Sequence, residues 1–190
     1  MTQEEFLHHI AQFLESAGIP YMVAGSHASS HHGIPRSTLD VDIVIDPTAQ
    51  QLTAFLASLT EDYYAAPSAA QQALRRRSMF NVIHSSAGWK ADLIICKNRP
   101  FDQEEFRRRR MVTLYGNPVP AASAEDMILA KLDWNRITPS ERQEQDALNV
   151  AMVQWPHLDQ EYLRHWAAEL GITAELKELL RQAEQLQPPF

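Results

Sequence analysis

Residues 21–46 read YMVAGSHASSHHGIPRSTLDVDIVID, a stretch that predicts two strands joined by a short helix. In the second strand, residues 39–45, the period of two places Asp40 and Asp42 on one face and the aliphatic side chains on the other. Carboxylates on so apolar a strand are costly to bury without a cation, and Arg36 is the one obvious partner nearby in sequence. The pair therefore indicates a Mg²⁺ site, although Asp-x-Asp also occurs at solvated strand edges and turns.

The end of the first strand predicts a phosphate-binding turn. Gly25 and Ser26 directly follow residues 21–24, and Ser26 lies at or near the N-cap of a helix over residues 26–32. Backbone N–H groups and the positive end of the helix dipole favour phosphate at such a turn. Thr38 then leads into the aspartates, so phosphate-binding and metal-binding residues are expected to form one site.

The order of strand, Gly-Ser, helix and Thr-x-Asp-x-Asp resembles the signature of the nucleotidyltransferase superfamily, which has the DNA polymerase β-like fold. The string GSHASSHHGIPRSTLDVDIVID is most similar to the AbiEii-type and related small bacterial nucleotidyltransferases, some of which are toxins of toxin–antitoxin systems. The resemblance implies an NTP substrate and two Mg²⁺ ions, with Asp40 and Asp42 as catalytic metal ligands. It also implies a set of nucleotide-binding residues: Gly25, Ser26, Arg36 and Thr38.

The resemblance further implies a third carboxylate on a later strand, often antiparallel to the metal-binding strand. Residues 78–84 and 89–96 predict a hairpin that turns at Gly88, and Asp92 lies in its second strand, in phase with Lys90. A charged residue here is also typical of an edge strand that avoids aggregation. By resemblance, Asp92 is expected to be the third catalytic metal ligand.

The helix predicted over residues 123–136 carries Lys131 beside its apolar surface, and the next predicted helix carries Asp146. AbiEii-like enzymes have a lysine in a similar context, followed by an arginine and an aspartate on the next helix. The resemblance implies that Lys131 contacts nucleotide phosphates and that Asp146 supports the site. An ordinary pair of amphipathic helices with surface charges would explain the same residues.

Composition narrows the range of partners. The chain has 190 residues, a formal net charge of −7, a single cysteine and no apolar run long enough to cross a membrane. Because its first helix is amphipathic and unlike a signal peptide, we expect a cytoplasmic protein. The acidic balance argues against a surface that coats nucleic acid. Two arginine runs could still contact an RNA acceptor, or be solvated helix ends: Arg75, Arg76 and Arg77, and Arg107, Arg108, Arg109 and Arg110.

These elements predict an α+β fold, with a nucleotidyltransferase-type mixed β-sheet flanked by helices and a C-terminal helical bundle. We expect a core at residues 1–117 and a helical subdomain at 118–190 that ends at Pro188 and Pro189. The expected activity is Mg²⁺-dependent transfer of a nucleoside monophosphate from an NTP to a hydroxyl acceptor, such as tRNA in a toxin-like enzyme with an antitoxin partner. A small-molecule acceptor, as in antibiotic-modifying relatives, and a catalytically inactive nucleotide-binding module are the alternatives.

Overall fold

A computed structural model describes residues 1–186, and the chain divides into two units. Unit 1 contains residues 1–25 and 38–121, and unit 2 contains residues 26–37 and those from 122 onward. The predicted end of the last helix at Pro188 and Pro189 lies outside the described residues.

Unit 1 contains a seven-stranded sheet in the order β3-β4-β5-β2-β1-β7-β6. The strands are β1 Tyr21–Val23, β2 Asp40–Ile45, β3 Tyr63–Tyr64, β4 Met79–His84, β5 Lys90–Ile95, β6 Arg110–Leu114 and β7 Asn117–Ala121. β2 is antiparallel to β1 and parallel to β5, whereas β5 is antiparallel to its hairpin partner β4. The mixed sheet is confirmed. The expected antiparallel pairing of the third-carboxylate strand with β2 is wrong, because β4 runs opposite to β2 and the hairpin turn then brings β5 back in the direction of β2.

Helices surround the sheet in unit 1 and make up most of unit 2. They are α1 Gln3–Ser16, α2 Gly25–His32, α3 Ala49–Ser58, α4 Pro67–Arg76, α5 Pro100–Arg108, α6 Ala124–Ile137, α7 Glu141–Gln154, α8 Gln160–Leu170 and α9 Thr173–Gln185. The expected C-terminal helices are therefore present as α6 to α9. Within the described part of the chain, none of these helices combines the length and apolar character needed to cross a membrane.

The core of unit 1 lies on one face of the sheet. Along β2 and β5 every second side chain is buried, and these side chains pack with buried residues of α1 and α3. Representative members of this core are Phe6, Ile10, Leu14, Val41, Ile43, Phe55, Ala91 and Leu93. The intervening residues of the two strands are left on the opposite face, which is where the predicted metal ligands lie.

The boundary between the units falls after β7, whereas the sequence predicted it near residue 117. The segment 117–121 was expected to be a turn and a linker because it contains Pro118 and Pro120, and proline cannot donate to a strand ladder. In the structure it is a strand, antiparallel to β6. Its pairing with β1 is confined to Val23 and Ala121, so that side of the strand tolerates residues without an N–H.

Unit 2 also includes the segment 26–37, which the sequence assigned to the core. The main chain of Gly33 packs against the backbone of α7, where an added Cβ would lie 2.9 Å from the nitrogen of Val150. Gln154 donates a hydrogen bond to the carbonyl of His32, and His32 in turn contacts the carbonyl of Ala122. These contacts join residues far apart in the sequence, so they fix α2 to the helices of unit 2.

Candidate active-site residues

The structure places Asp40, Asp42 and Asp92 on one face of the unit 1 sheet, which we call the carboxylate face. The parallel register of β2 and β5 aligns Asp40 with Lys90 and Asp42 with Asp92. The side chains that alternate with these residues are buried in the core. The sheet thus brings the three predicted metal ligands onto two adjacent strands.

Lys90 and Asn81 also contact these carboxylates, and the sequence did not single them out. The Nζ of Lys90 is 3.3 Å from Oδ1 of Asp40 and 3.2 Å from Oδ1 of Asp92. Asn81 donates a hydrogen bond to the same Asp92 oxygen at 2.5 Å. Partial burial lowers the pKa of Lys90, but the hydrogen bonds and charges of Asp92 and Asp40 outweigh it and raise the pKa overall. In the sequence, Asn81 and Lys90 alternate with the buried residues of β4 and β5, and this pattern could have placed them on the face that carries Asp92.

Position 25 must be glycine because the main chain there passes close to Asp42, a constraint that the sequence did not show. Its φ is +56°, and a Cβ at this position would lie 1.9 Å from Oδ2 of Asp42. The main chain at the end of β1 therefore closely approaches the Asp42 carboxylate, and the amide of Ala24 donates to the Asp42 carbonyl at 2.9 Å. Only glycine combines this conformation with this approach.

Thr38 lies two residues before β2 and supports its first residue. Its hydroxyl donates to the carbonyl of Asp40 at 3.3 Å, and its own carbonyl accepts from the side chain of Gln3 at 3.0 Å. The structure therefore gives Thr38 a role in positioning the strand that carries Asp40. Its predicted role at the nucleotide stays a prediction.

The donor set of the carboxylate face fits Mg²⁺. Three hard oxygen donors share the face, and the Lys90 ammonium already lies between two of them as a cation would. Among residues 1–186, no three His, Cys, Asp or Glu side chains converge closely enough to form a preassembled metal site. The carboxylates would therefore have to draw together around the ion.

Unit 2 contains a second set of predicted residues, which we call the Asp146 network. Its centre is the carboxylate of Asp146, which accepts from Nε and Nη2 of Arg36 at 2.8 Å each and from Nζ of Lys131 at 2.9 Å. Lys131 also donates to Gln143 at 2.9 Å, and Arg36 donates to the hydroxyl of Ser26 at 2.6 Å. Four predicted residues thus meet in one network, which Gln143 completes.

Burial and hydrogen bonding act in opposite directions on Asp146. Burial disfavours its charged form, but the hydrogen bonds from Arg36 and Lys131 prevail and lower its pKa below the usual value. The carboxylate is therefore ionised at neutral pH and holds both cations in place. Two positive charges around one negative charge leave a formal charge of +1, which suits an anion. Ser26, which the sequence placed at or near the N-cap, is the second residue of α2 because the helix begins at Gly25.

The arginine runs are partly engaged within the protein. Arg77 pairs with Asp46 at 3.3 Å and also donates to the Cys96 carbonyl, while Arg107 pairs with Glu104 at 2.6 Å. Several members remain exposed to solvent: Arg75, Arg76, Arg107 and Arg110. The runs therefore offer fewer free cations than the sequence suggested.

Several solved structures of nucleotidyltransferases are similar to this chain in fold. ANT(2")-Ia in complex with adenylyl-2"-tobramycin has a TM-score of 0.59 at 13% identity, covering 90% of this chain and 97% of that chain. The chain has the nucleotidyltransferase fold. An antigenic nucleotidyltransferase-like protein from Paracoccidioides brasiliensis has a TM-score of 0.57 at 17% identity, covering 94% of this chain and 91% of that one.

A further similar structure is the lincosamide antibiotic adenylyltransferase LnuA with lincomycin bound, with a TM-score of 0.51 at 14% identity over 80% of this chain and 98% of that one. No protein-family model matches the chain. No curated protein matches it by sequence either. The superfamily resemblance of the sequence is thus supported at the level of the fold.

Proposed function

We propose that this protein is a Mg²⁺-dependent nucleotidyltransferase that moves a nucleoside monophosphate from an NTP to a hydroxyl group. The observation that carries the proposal is the in-register alignment of the carboxylate face within a nucleotidyltransferase fold. Three acids on one sheet face repel one another and Lys90 offsets only one of their charges, so a bound cation explains their arrangement.

The carboxylate face would supply the ligands for the reaction. Asp40, Asp42 and Asp92 would hold the two Mg²⁺ ions. Bound Mg²⁺ would neutralise the phosphate charges and lower the pKa of the acceptor hydroxyl. The hydroxyl oxygen forms a bond to the α-phosphorus, its proton passes to a carboxylate of the face, and the bond to the β-phosphate breaks. Pyrophosphate then leaves.

The Asp146 network would supply positive charge for the nucleotide. Arg36 and Lys131 would contact the phosphates, and Asp146 would hold their side chains in the orientation seen in unit 2. The hydroxyl of Ser26 and the main chain at Gly25 would add hydrogen bonds to the triphosphate. These assignments rest on the family resemblance together with the observed hydrogen bonds.

Two acceptor classes follow from different observations. ANT(2")-Ia is seen with adenylyl-2"-tobramycin and LnuA with lincomycin, which supports a small-molecule hydroxyl as acceptor. The exposed side chains of Arg75 and Arg76 support an RNA acceptor such as tRNA, with a toxin-like role and an antitoxin partner. The net charge of −7 makes extensive RNA contact costly, so we favour the small molecule.

A transfer assay tests the proposal. Purified protein, Mg²⁺ and each α-labelled NTP are incubated separately with total RNA and with a small-molecule extract. Asp40→Ala serves as the inactive variant, and Glu61→Gln, which removes an exposed carboxylate of unit 1, is the matched control. We expect label in the small-molecule pool with wild type and Glu61→Gln only.

The other outcomes are equally informative. Label on RNA would identify a nucleotidyltransferase with the second acceptor class, and equal growth on expressing wild type or Asp42→Ala would remove its toxin role. If neither pool is labelled although the protein binds NTP with Mg²⁺, both acceptor classes are wrong, and the result points to a protein acceptor or a catalytically silent nucleotide-binding module.

A further inference from the structure

Lys90 is the cation that the carboxylate face already contains. It precedes Asp92 by two residues on β5, and the register of the sheet places it directly beside Asp40 on β2. Its Nζ lies within 3.3 Å of an oxygen of each carboxylate, and it also donates to Oδ2 of Asp92 at 3.3 Å. One ammonium thus bridges two of the three acids.

The contacts of Asp92 show what a metal ion would have to displace. Oδ1 of Asp92 accepts from Asn81 and lies beside Lys90, and Oδ2 accepts from Lys90 as well. A carboxylate has about four lone-pair sites, and the donors of Asn81 and Lys90 are directed at both oxygens of Asp92. A metal ion that binds Asp92 must therefore compete with the Lys90 ammonium.

The formal charge of the carboxylate face also indicates that Lys90 opposes metal binding. Three carboxylates and one ammonium leave a formal charge of −2 on the carboxylate face, compared with −3 if Lys90 were neutral. Each positive charge removed from the face strengthens its attraction for a divalent ion. A lysine side chain is ordinarily charged at neutral pH, so the formal charge of −2 applies there.

We propose that Lys90 is a tethered counter-cation that competes with the divalent metal ion for Asp40 and Asp92. This inference rests on the proposed function, because it assumes that the carboxylate face binds metal. In the absence of nucleotide, Lys90 holds the two acids and keeps metal affinity low. The phosphates of an NTP bring negative charge that binds both the metal and the released ammonium, so metal and nucleotide bind together.

Metal binding to the nucleotide-free protein tests this directly. Free Mn²⁺ is measured by electron paramagnetic resonance during titration of wild type, Lys90→Gln and Lys177→Gln. Lys177 is an exposed lysine of α9. It belongs to unit 2 and is far from β5 in sequence, so Lys177→Gln removes one positive charge without changing the carboxylate face. We expect Lys90→Gln to bind Mn²⁺ about tenfold more tightly, because a neutral side chain neither repels the divalent ion nor competes for the carboxylates, and Lys177→Gln to match wild type.

Asp42→Asn separates this inference from the proposed function. If Mn²⁺ binding is lost with Asp42→Asn but Lys90→Gln binds no more tightly than wild type, the counter-cation role is wrong and the metal site stands. If Asp42→Asn leaves Mn²⁺ binding unchanged in every background, the carboxylate face is not a metal site and both proposals fail.

A measurement on the wild-type protein covers the case in which Lys90→Gln does not fold. The chain has four lysines, at positions 90, 97, 131 and 177, so ¹³C-lysine labelling gives a simple spectrum of Cε resonances. Lys90→Arg, which keeps the charge, assigns the Lys90 signal by its loss. We expect Mg²⁺ to shift this signal and to leave that of Lys177 unchanged. An unshifted Lys90 signal at saturating Mg²⁺ would overturn the proposal.

Discussion

The carboxylate face and the Asp146 network both place charged side chains together, but they differ in exposure and in the sign of their net charge. On the carboxylate face, the side chains of Asp40 and Lys90 are 50% and 35% exposed. In the Asp146 network, those of Lys131 and Asp146 are each 5% exposed. The first carries a formal charge of −2 and the second of +1. The carboxylate face is the more exposed of the two, although the Asp92 side chain is only 13% exposed, and it suits a cation from solution. The buried network suits a fixed anion site.

The two regions depend on their ion pairs for stability to different degrees. A buried ion pair costs much desolvation and is stable only when hydrogen bonds satisfy it, as the four hydrogen bonds among Arg36, Lys131, Gln143 and Asp146 do. Exposed pairs contribute little to folding. We therefore expect changes on the carboxylate face to affect activity first, and changes in the Asp146 network to affect folding first.

The largest expected effect separates the two regions by activity. Asp42→Asn should reduce nucleotidyl transfer on the order of a thousandfold or more, because it removes a charged metal ligand. Its urea unfolding curve should match that of wild type. Transfer measured with α-labelled NTP, and unfolding measured by circular dichroism, provide the test. A variant that transfers label at a wild-type rate would contradict the assignment of Asp42.

The next effect is on stability. Asp146→Asn should lower the free energy of unfolding by about 3–5 kcal/mol, because it leaves two cations close together with Lys131 buried. Glu178→Gln is the matched control: Glu178 also pairs with an arginine, Arg181 at 2.6 Å, but on the exposed surface of α9. Urea unfolding should show little change for this control. Equal stability of both variants would mean that burial of the network contributes nothing to folding.

Gly25→Ala tests the close approach of the main chain to Asp42. The positive φ and the Cβ clash with the carboxylate predict a loss of about 2 kcal/mol of stability, with Asp42 displaced and activity reduced. Gly116→Ala is the control, since its φ is also positive, at +78°, but a Cβ there would meet nothing within 4 Å. If the two variants lose the same activity, backbone strain alone explains the effect and the contact with Asp42 is unimportant.

The smallest expected effect is a dependence on pH. The folded-state pKa of Asp146 is lowered, so its contribution to stability is complete above the pKa of an unfolded aspartate, about 3.9, and is lost as pH falls through the lowered value. The difference in unfolding free energy between wild type and Asp146→Asn should therefore be constant from pH 7 to about 5 and shrink below pH 4. A difference that grows on acidification would have the wrong sign for this explanation.

Local pattern was sufficient to predict much of the fold and of the carboxylate face. The period of two in β2 predicted that Asp40 and Asp42 share a face, and the phase of Asp92 predicted that it shares a face with Lys90. The family resemblance implied that this strand pairs with β2. Both shared faces are observed. These predictions succeeded because alternation is a property of the strand itself and needs no knowledge of distant residues.

Long-range contacts could not be predicted in this way. The parallel pairing of β2 with β5 depends on the direction in which the chain between them returns to the sheet, which no local pattern contains. The segment 26–37 joins unit 2 through Gly33 and His32, whose partners are more than 80 residues away in sequence. The strand β7 was missed because Pro118 is unusual inside a sheet. In each case the residues that determine the observed structure lie elsewhere in the sequence.

A crystal structure with Mn²⁺ and a non-hydrolysable NTP analogue would test the central claim most directly. We predict an anomalous Mn²⁺ peak coordinated by Asp40 and Asp42 at about 2.1 Å, the distance typical of small divalent ions with oxygen ligands. The Lys90 ammonium should have moved away from Asp92. A nucleotide bound with no anomalous peak at the carboxylate face, or with the peak at other residues, would contradict the account.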